Sequence, residues 1–505
     1  MDLLLAHDLG TTGNKASLFD AQGRLVASQF VPYETSYPGP GWAEQDATEW
    51  WRAVVQASRA LLTAESPIAA GDIAAISFSG QMMGCLPLDA AGHPLRTAII
   101  WADQRATAQA DRLGRRLGTE RFYRLTGHRP GASYTAAKAM WLQDEQPDLW
   151  QETARLLQAK DYVAYRLCGE QATDYSDASG TNLYALCSHD WADEILAAAN
   201  LPRSLLPCPV PAATVIGRVT ASAAQATGLR QGTPVVIGGG DGGCATVGAG
   251  VTRPGTSYCY LGSSSWISFA SPEPLYDPQQ RTFTFAHLDP ALYFPTGTMQ
   301  TAGAAYDWLG RLLTDQPDGP ALAELDALAA AAPPGADGLL FLPYLMGERS
   351  PHWNPQARAA FVGLTMVHGR GALARAVMEG VAHNLHIILD AFLRQGAPIE
   401  SLRLIGGGAR SAVWRQILAN VLGMPIASLG LDVAATSLGA AIAAGVGIGL
   451  FPSYAVAEHM TSISAREEVD LQLAERYREL GTLFADAYTA LETISANLQR
   501  LCTAS

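Results

Sequence analysis

Asp8-Leu9-Gly10-Thr11-Thr12-Gly13 lies between the apolar run Leu3-Leu4-Leu5-Ala6 and the segment Asn14 to Phe19, and its reading decides the fold. Apolar residues, then Gly with two hydroxyl side chains, then a second run read as two strands around a tight turn. A third strand, Leu25 to Phe30, follows the turn Ala21-Gln22-Gly23. Asp46 then opens a helix from about Thr48 to Leu62, and the apolar strand Ile73 to Phe78 comes next. Hairpin strands followed by helix and strand predict a mixed α/β layer fold. The pattern restarts later. Pro234 to Ile237 reads as a buried strand running into Gly238-Gly239-Gly240-Asp241, and Tyr258 to Ala270 reads as another hairpin.

The second hairpin repeats the first. Asp8-Leu9-Gly10-Thr11-Thr12 lies over Tyr260-Leu261-Gly262-Ser263-Ser264, each with Gly and two hydroxyl residues after an apolar strand. Its mid-chain position marks the start of a second domain, with the boundary near Gly250, before Arg253-Pro254-Gly255. The expected domains are residues 1–249 and 250–505, joined by a tight hinge beside a cleft. In the second, strand Leu402 to Ile405 runs into Gly406-Gly407-Gly408-Ala409-Arg410-Ser411. Ser411 is placed to cap a helix whose apolar face is Val413, Trp414, Ile417, Leu418, Val421 and Leu422, stopped by Gly423 and Pro425.

A chain of 505 residues at 48% hydrophobic exceeds one ordinary core and excludes a mainly disordered protein. With 34 Lys+Arg against 47 Asp+Glu the net charge is -13, which argues against nucleic acid as partner. Cys85, Cys168, Cys187, Cys208, Cys244, Cys259 and Cys502 are odd in number and scattered, without CxxC or HExxH spacing. They are expected to be reduced thiols of a cytoplasmic protein rather than zinc ligands or disulfides. Asp2 and Asp8 with no basic run predict no signal peptide. Val433 to Ala457 carries no charge and is long enough to span a bilayer. It is dominated by Ala and Gly and broken by Pro452, so a buried helix is expected and no membrane partner.

Gly-rich turns after strands can turn backbone N–H groups toward an anion. Only Lys15, Lys138 and Lys160 are lysines, and none follows a glycine as a P-loop requires. Gly238-x-Gly240-x-x-Gly243 fits a dinucleotide fingerprint, but no carboxylate follows between Asp241 and Glu273, and Gly248 and Gly250 interrupt the helix. The N-terminal hairpin needs no lysine. Its N–H groups and the Thr11 and Thr12 hydroxyls can hold phosphate oxygens, and Asp8 can hold a hydrated magnesium ion. Two such hairpins and a separate Gly-rich loop make the plan of an actin-like ATPase.

Further segments make the likeness specific: Ser79-Gly80-Gln81-Met82-Met83-Gly84, Trp101-Ala102-Asp103-Gln104-Arg105, Lys138 to Leu142, Thr173 to Thr181, Gly239-Gly240-Asp241, Gly347-Glu348-Arg349 and Gly406-Gly407-Gly408-Ala409. From Asp8 to about Gly449 the chain resembles the FGGY carbohydrate kinases. The resemblance implies two actin-like (ribonuclease H-like) domains with ATP and a sugar between them, and transfer of the γ-phosphoryl group to a sugar hydroxyl. It implies Asp241 as catalytic base, Asp8 for Mg2+, and Gln81, Met82, Met83, Asp103 and Asp241 around the sugar, with Trp101 shaping the wall. Gly10, Thr11, Thr12, Gly262, Ser263 and Ser264 fall to the phosphates, and Gly407, Gly408 and Ala409 to the adenosine. Within the family the segments sit nearest the branch that makes D-xylulose 5-phosphate. That branch usually reads Gly-Gln-Met-His-Gly, where this chain has Met83; the glycerol branch expects Arg-Glu after Gln. The alternatives are a kinase for ribulose, L-xylulose or an erythritol-like polyol, a non-enzymatic actin-like ATP-binding protein, and a sugar sensor without catalysis. A homodimer is compatible with the sequence. Asp174 and Asp177 read as turn caps, and His128 and His352 as core or surface residues.

Overall fold

The computed structural model describes residues 2–63, 68–313, 322–430 and 435–503. The first sheet has the strand order Val215–Arg218, Pro234–Val236, Ile73–Gly80, Leu3–Leu9, Gly13–Phe19, Leu25–Pro32, with Gly239–Gly240 also paired to Ile73–Gly80. The second runs Phe283–Ala286, Tyr293–Met299, Ser265–Phe269, Ser257–Leu261, Leu402–Ile405, Ile426–Leu429, Ile463–Glu467. The two sheets share a plan. Leu3–Leu9 pairs antiparallel with the strand after its turn and parallel with Ile73–Gly80. Ser257–Leu261 pairs antiparallel with Ser265–Phe269 and parallel with Leu402–Ile405. The short match between the hairpins is therefore a topological repeat.

Strand Leu3–Leu9 opens with the continuous apolar run Leu3 to Ala6 because both its faces are covered. Leu3, Leu5 and Leu9 pack with Trp50, Val54 and Ala57 of the helix Ala47–Leu61, which Asp46 caps by accepting from the Thr48 N–H. Leu4 and Ala6 point the other way, onto Leu438, Ala441 and Ile442. These belong to the helix Ala435–Gly447, the described part of the uncharged Gly/Ala segment; Val433 of that segment lies outside the described residues. It is a buried helix, as its composition implies, although it comes from the second half of the chain and covers the first sheet. Small residues make the packing possible. A Cβ at Gly439 would lie 2.0 Å from the Cys244 carbonyl oxygen, and one at Gly248 1.8 Å from that of Ala435. The helix so clasped, Asp241–Gly248, carries the candidate base at its first position. Asp241 therefore opens a helix after the strand pair Gly239–Gly240 instead of ending a strand.

Among the described residues one helix, Arg370–Leu393, is long and apolar enough to cross a membrane. It is buried in the second core, against Phe269, Phe341 and Leu404, which accounts for its character without a bilayer. Cys85, Cys168, Cys244 and Cys259 are buried free thiols, while Cys187 and Cys208 are exposed.

Candidate active site

Between the two sheets is a cavity of about 180 Å³ lined by Met82, Met83, Trp101, Asp241, Gly242, Tyr258, Ser264, Trp266, Phe283, Phe285, Phe294, Thr296, Thr298 and Arg349. Since a single water needs ~10–15 Å³, the space takes roughly a dozen water-sized bodies, the scale of a pentose. Its wall is largely aromatic and thioether, with Asp241 and Arg349 as the charged groups. Two larger surface clefts, around Arg115 and Arg129 and around Glu34 and Glu49, lie away from these segments.

Asp241 accepts from the Gly242 N–H through Oδ1 at 2.7 Å. Burial, and then the neighbouring negative charge of Asp8, push its carboxyl up to about 7. Burial also raises Asp8, against a 2.6 Å hydrogen bond that the Thr436 hydroxyl donates to its Oδ2. Two carboxyls raised by burial, one of them also by the charge of the other, suit a divalent cation, which would relieve both. Magnesium typically takes one or two carboxylates and completes its shell with phosphate and water, so the donor set fits.

The first turn is tied down from inside. The Tyr33 hydroxyl donates to the Gly10 carbonyl at 2.5 Å and Gln45 Nε2 to that of Thr11 at 2.7 Å. Trp101 Nε1 donates to Thr11 Oγ1 at 2.9 Å, which leaves the hydroxyl hydrogen for an acceptor such as a phosphate oxygen. Thr12 is exposed at the tip. The second turn is held by the start of the helix Gly303–Leu313. The Gly303 N–H donates to the Gly262 carbonyl at 2.8 Å and the Ala302 N–H to that of Ser263 at 2.8 Å. Ser263 is exposed and Ser264 reaches the cavity wall. In the Gly-rich loop, Gly407 has open space where a Cβ would be, whereas Gly408 closes on Leu261 and Ala409 is buried. Gly407 is thus the member of that trio that leaves its backbone open to a ligand.

Gln81 and Asp103 are not brought to the cavity, which corrects their expected place beside the sugar. Gln81 Nε2 donates to Gln45 Oε1 at 2.7 Å and backs the network beneath the first turn. Asp103 is fully buried, paired with Arg105 at 2.7 Å, and accepts from the Ala43 N–H at 2.6 Å. Arg105, two residues on, takes the carboxylate that a sugar hydroxyl was expected to meet. Met82, Met83 and Trp101 do line the wall. Asp174 caps the helix Tyr175–Ser179 as expected, but Asp177 does not cap. It lies 3.2 Å from Lys160 Nζ in a buried cluster with Asp161 and Asp174. His128 stacks on Phe283 in the core and the half-buried His352 stacks on Tyr488, and burial lowers both.

Arg349 belongs to the Gly347-Glu348-Arg349 segment, whose sequence assigns it no role. Its Nε is buried without a hydrogen-bond partner among the described residues, and its side chain borders the cavity. The preceding Glu348 is spent on the Arg349 N–H and the Asn384 side chain. A lone Arg is a weak signal in a sequence; only the fold shows that its guanidinium faces a void.

The N-terminal and C-terminal domain models of the FGGY family of carbohydrate kinases match residues 3–248 and 257–448. The chain belongs to the FGGY family of carbohydrate kinases, and it is a sugar kinase of two-domain actin-like fold. Among its relatives is the xylulose kinase of Escherichia coli, 37% identical over 84% of this chain and 86% of that protein. The crystal structure of ligand-bound xylulose kinase from Lactobacillus acidophilus superposes with a TM-score of 0.93 at 27% identity, over 99% of this chain and 100% of that one. The gluconokinase of Bacillus licheniformis is 30% identical over 98% of each.

Proposed function

We propose that this protein transfers the γ-phosphoryl group of ATP to D-xylulose, giving D-xylulose 5-phosphate in the cytoplasm. The observation that carries the reading is one cavity of pentose size that puts the Asp241 carboxylate, Met82, Met83 and Ser264 of the second turn on a common wall. The similarity to xylulose kinases supports it. Residues 1–249 supply the base and the first turn, residues 250–505 the second turn and the Gly-rich loop.

Phosphoryl transfer is mainly positioning and charge stabilisation. Asp241 acts as general base and takes the proton of the attacking hydroxyl, for which a pKa near neutrality is suitable. The Thr11 hydroxyl, already oriented by Trp101, and the Ser263 and Ser264 hydroxyls offer hydrogens to phosphate oxygens. Asp8, with Asp241 beside it, would hold Mg2+; the bound ion neutralises phosphate charge. The open backbone at Gly407 receives the adenosine. Closing the aromatic wall over the sugar keeps water from the ATP.

Arg349 favours a second reading. A half-buried guanidinium at the cavity wall with a free Nε suits a carboxylate, so a sugar acid is the competing substrate, and a gluconokinase is among the relatives. ADP release measured against D-xylulose, L-xylulose, D-ribulose, xylitol and gluconate decides between them. D-xylulose is expected to give the highest kcat/KM. Preference for gluconate would replace the first reading with the second, and ADP release independent of every sugar would remove both.

A further inference from the structure

Lys138 is fully buried on the helix Thr135–Glu145, and it faces three main-chain carbonyls. Its Nζ donates to Met83 at 2.8 Å, Ile100 at 2.8 Å and Ser133 at 2.6 Å. An ammonium carries three donors, and here each goes to a different segment. The choice of acceptors matters because of where they lie. Met83 lines the cavity and has φ of +67°, a left-handed conformation that is uncommon for a long side chain. Ile100 precedes Trp101, which lines the same cavity and donates to Thr11 in the first turn. The same helix holds the loop a second time: the Thr135 hydroxyl donates to the Gly84 carbonyl at 2.9 Å.

We propose that Lys138, seconded by Thr135, is the positioning residue of the sugar wall: it ties the Met83 and Ile100 carbonyls together and thereby fixes Met83 and Trp101 against the substrate. It touches neither sugar nor phosphate. Its work is to keep a strained residue in place and to join the sugar wall to the turn that faces the phosphates. A neutral side chain of the same length leaves the part-buried Met83 and Ser133 carbonyls to find other donors, while Ile100 keeps only the Asp103 N–H at 3.1 Å, and the loop relaxes toward ordinary φ values. The assignment rests on the kinase reading for its kinetic consequence alone.

Lys138→Met removes the donors and keeps the length, and Thr135→Val removes the second tie in case the first variant does not fold. Hydrogen exchange is read first, since it needs no activity. Amides 83–85 and 101–103 should exchange at least tenfold faster in Lys138→Met, and 83–85 severalfold faster in Thr135→Val, with the second turn at 262–264 unchanged. On the best sugar of the panel, KM for sugar should rise tenfold or more in Lys138→Met and about threefold in Thr135→Val, with kcat and KM for ATP within threefold. Met83→Asn, a residue that tolerates the left-handed region, should restore part of the sugar KM when added to Lys138→Met and none when made alone. Exchange that rises uniformly with a falling melting temperature, or sugar KM unmoved in both single variants, overturns the proposal. If the wild type phosphorylates no sugar, the kinase reading fails, and the exchange pattern still decides the positioning role.

Discussion

Of the three lysines in the chain, Lys138 and Lys160 are fully buried, and each stands behind a different wall of one cavity. Lys138 is answered by three neutral carbonyls. Lys160 is answered by Asp161 at 2.5 Å, Asp174 at 3.0 Å and Asp177 at 3.2 Å. The first arrangement answers the charge with dipoles alone, so burial pulls the Lys138 ammonium down to about 7, and it fixes geometry on the sugar side. The second has more carboxylates than cations, and burial drives Asp161 and Asp177 upward. From it a chain of contacts leads to the base. Asp174 Oδ2 accepts from the Ser176 hydroxyl at 2.5 Å, and Ser176 Oγ accepts at 3.0 Å from the N–H of Gly240, the residue before Asp241. In the proposed reaction one buried cation thus stands behind the wall that binds, and the other behind the wall that does the chemistry. Damage to the base wall should appear in kcat, and damage to the sugar wall in KM for sugar.

The largest expected effect tests the base wall directly. Asp241→Asn keeps the shape and removes the proton acceptor, so kcat should fall ~10²–10⁴-fold with sugar KM little changed. Retention of more than about a tenth of the wild-type turnover would show that the base lies elsewhere. The raised carboxyl adds a pH signature. Activity of the wild type should climb with pH as the base loses its proton, with a midpoint that Mg2+ beside Asp8 moves below the metal-free value of about 7. Stability should move the opposite way. A carboxyl raised from 3.8 to about 7 binds its proton more tightly when folded, so its contribution to stability declines as pH rises between those values. Asp241→Asn should therefore melt above the wild type at pH 8, with the advantage gone at pH 4. Parallel melting curves at both pH values would argue that the carboxyl is not raised.

A smaller effect tests the link between Lys160 and the base. Ser176→Ala removes one hydrogen bond to the Gly240 N–H, about 1 kcal/mol, which is roughly a fivefold loss. It should fall on kcat while sugar KM stays within twofold. A loss confined to KM would mean that the two walls are not separable.

How much of this was legible in the sequence depended on the kind of signal. The hairpins, the helix after Asp46 and the Gly-rich loop were readable because strand, cap and turn chemistry are local. Asp241 as the base is proposed from a motif, and the turnover of Asp241→Asn tests it. Gln81 and Asp103 were misplaced because sequence shows what an amide or carboxylate can bind, while its actual partner is set by packing: Gln45 and Arg105 arrive from neighbouring segments and from two residues on. Lys138, Lys160 and Arg349 were the reverse case. Each is a single cation in the sequence, and only the tertiary fold brings three carbonyls, three carboxylates or an open cavity to it. That helix Ala435–Gly447 would cover the first sheet was likewise out of reach, since nothing local says which sheet a small-residue helix will meet.

An effect of the same size but opposite sign concerns the side chain that Lys138 holds. Met83 stands where xylulose-phosphorylating relatives usually carry His, and its thioether is only a weak acceptor. Imidazole can donate to or accept from a sugar hydroxyl, and His is among the residues enriched in the left-handed region that position 83 occupies at φ of +67°. Met83→His therefore asks no new strain of the backbone and leaves the Lys138 bond to the carbonyl of residue 83 in place. It adds one neutral hydrogen bond to the wall that binds, about 1 kcal/mol, so kcat/KM for D-xylulose should rise roughly fivefold relative to L-xylulose, D-ribulose and xylitol. The rise should come through KM, because the base wall is untouched. Gluconate is the sharpest control, since its recognition would lean on Arg349 across the cavity and should not follow residue 83. If the variant gains nothing on D-xylulose while another sugar already runs better in the wild type, the substrate is that sugar. Met83 is then its apolar wall, held by Lys138 for the same mechanical reason.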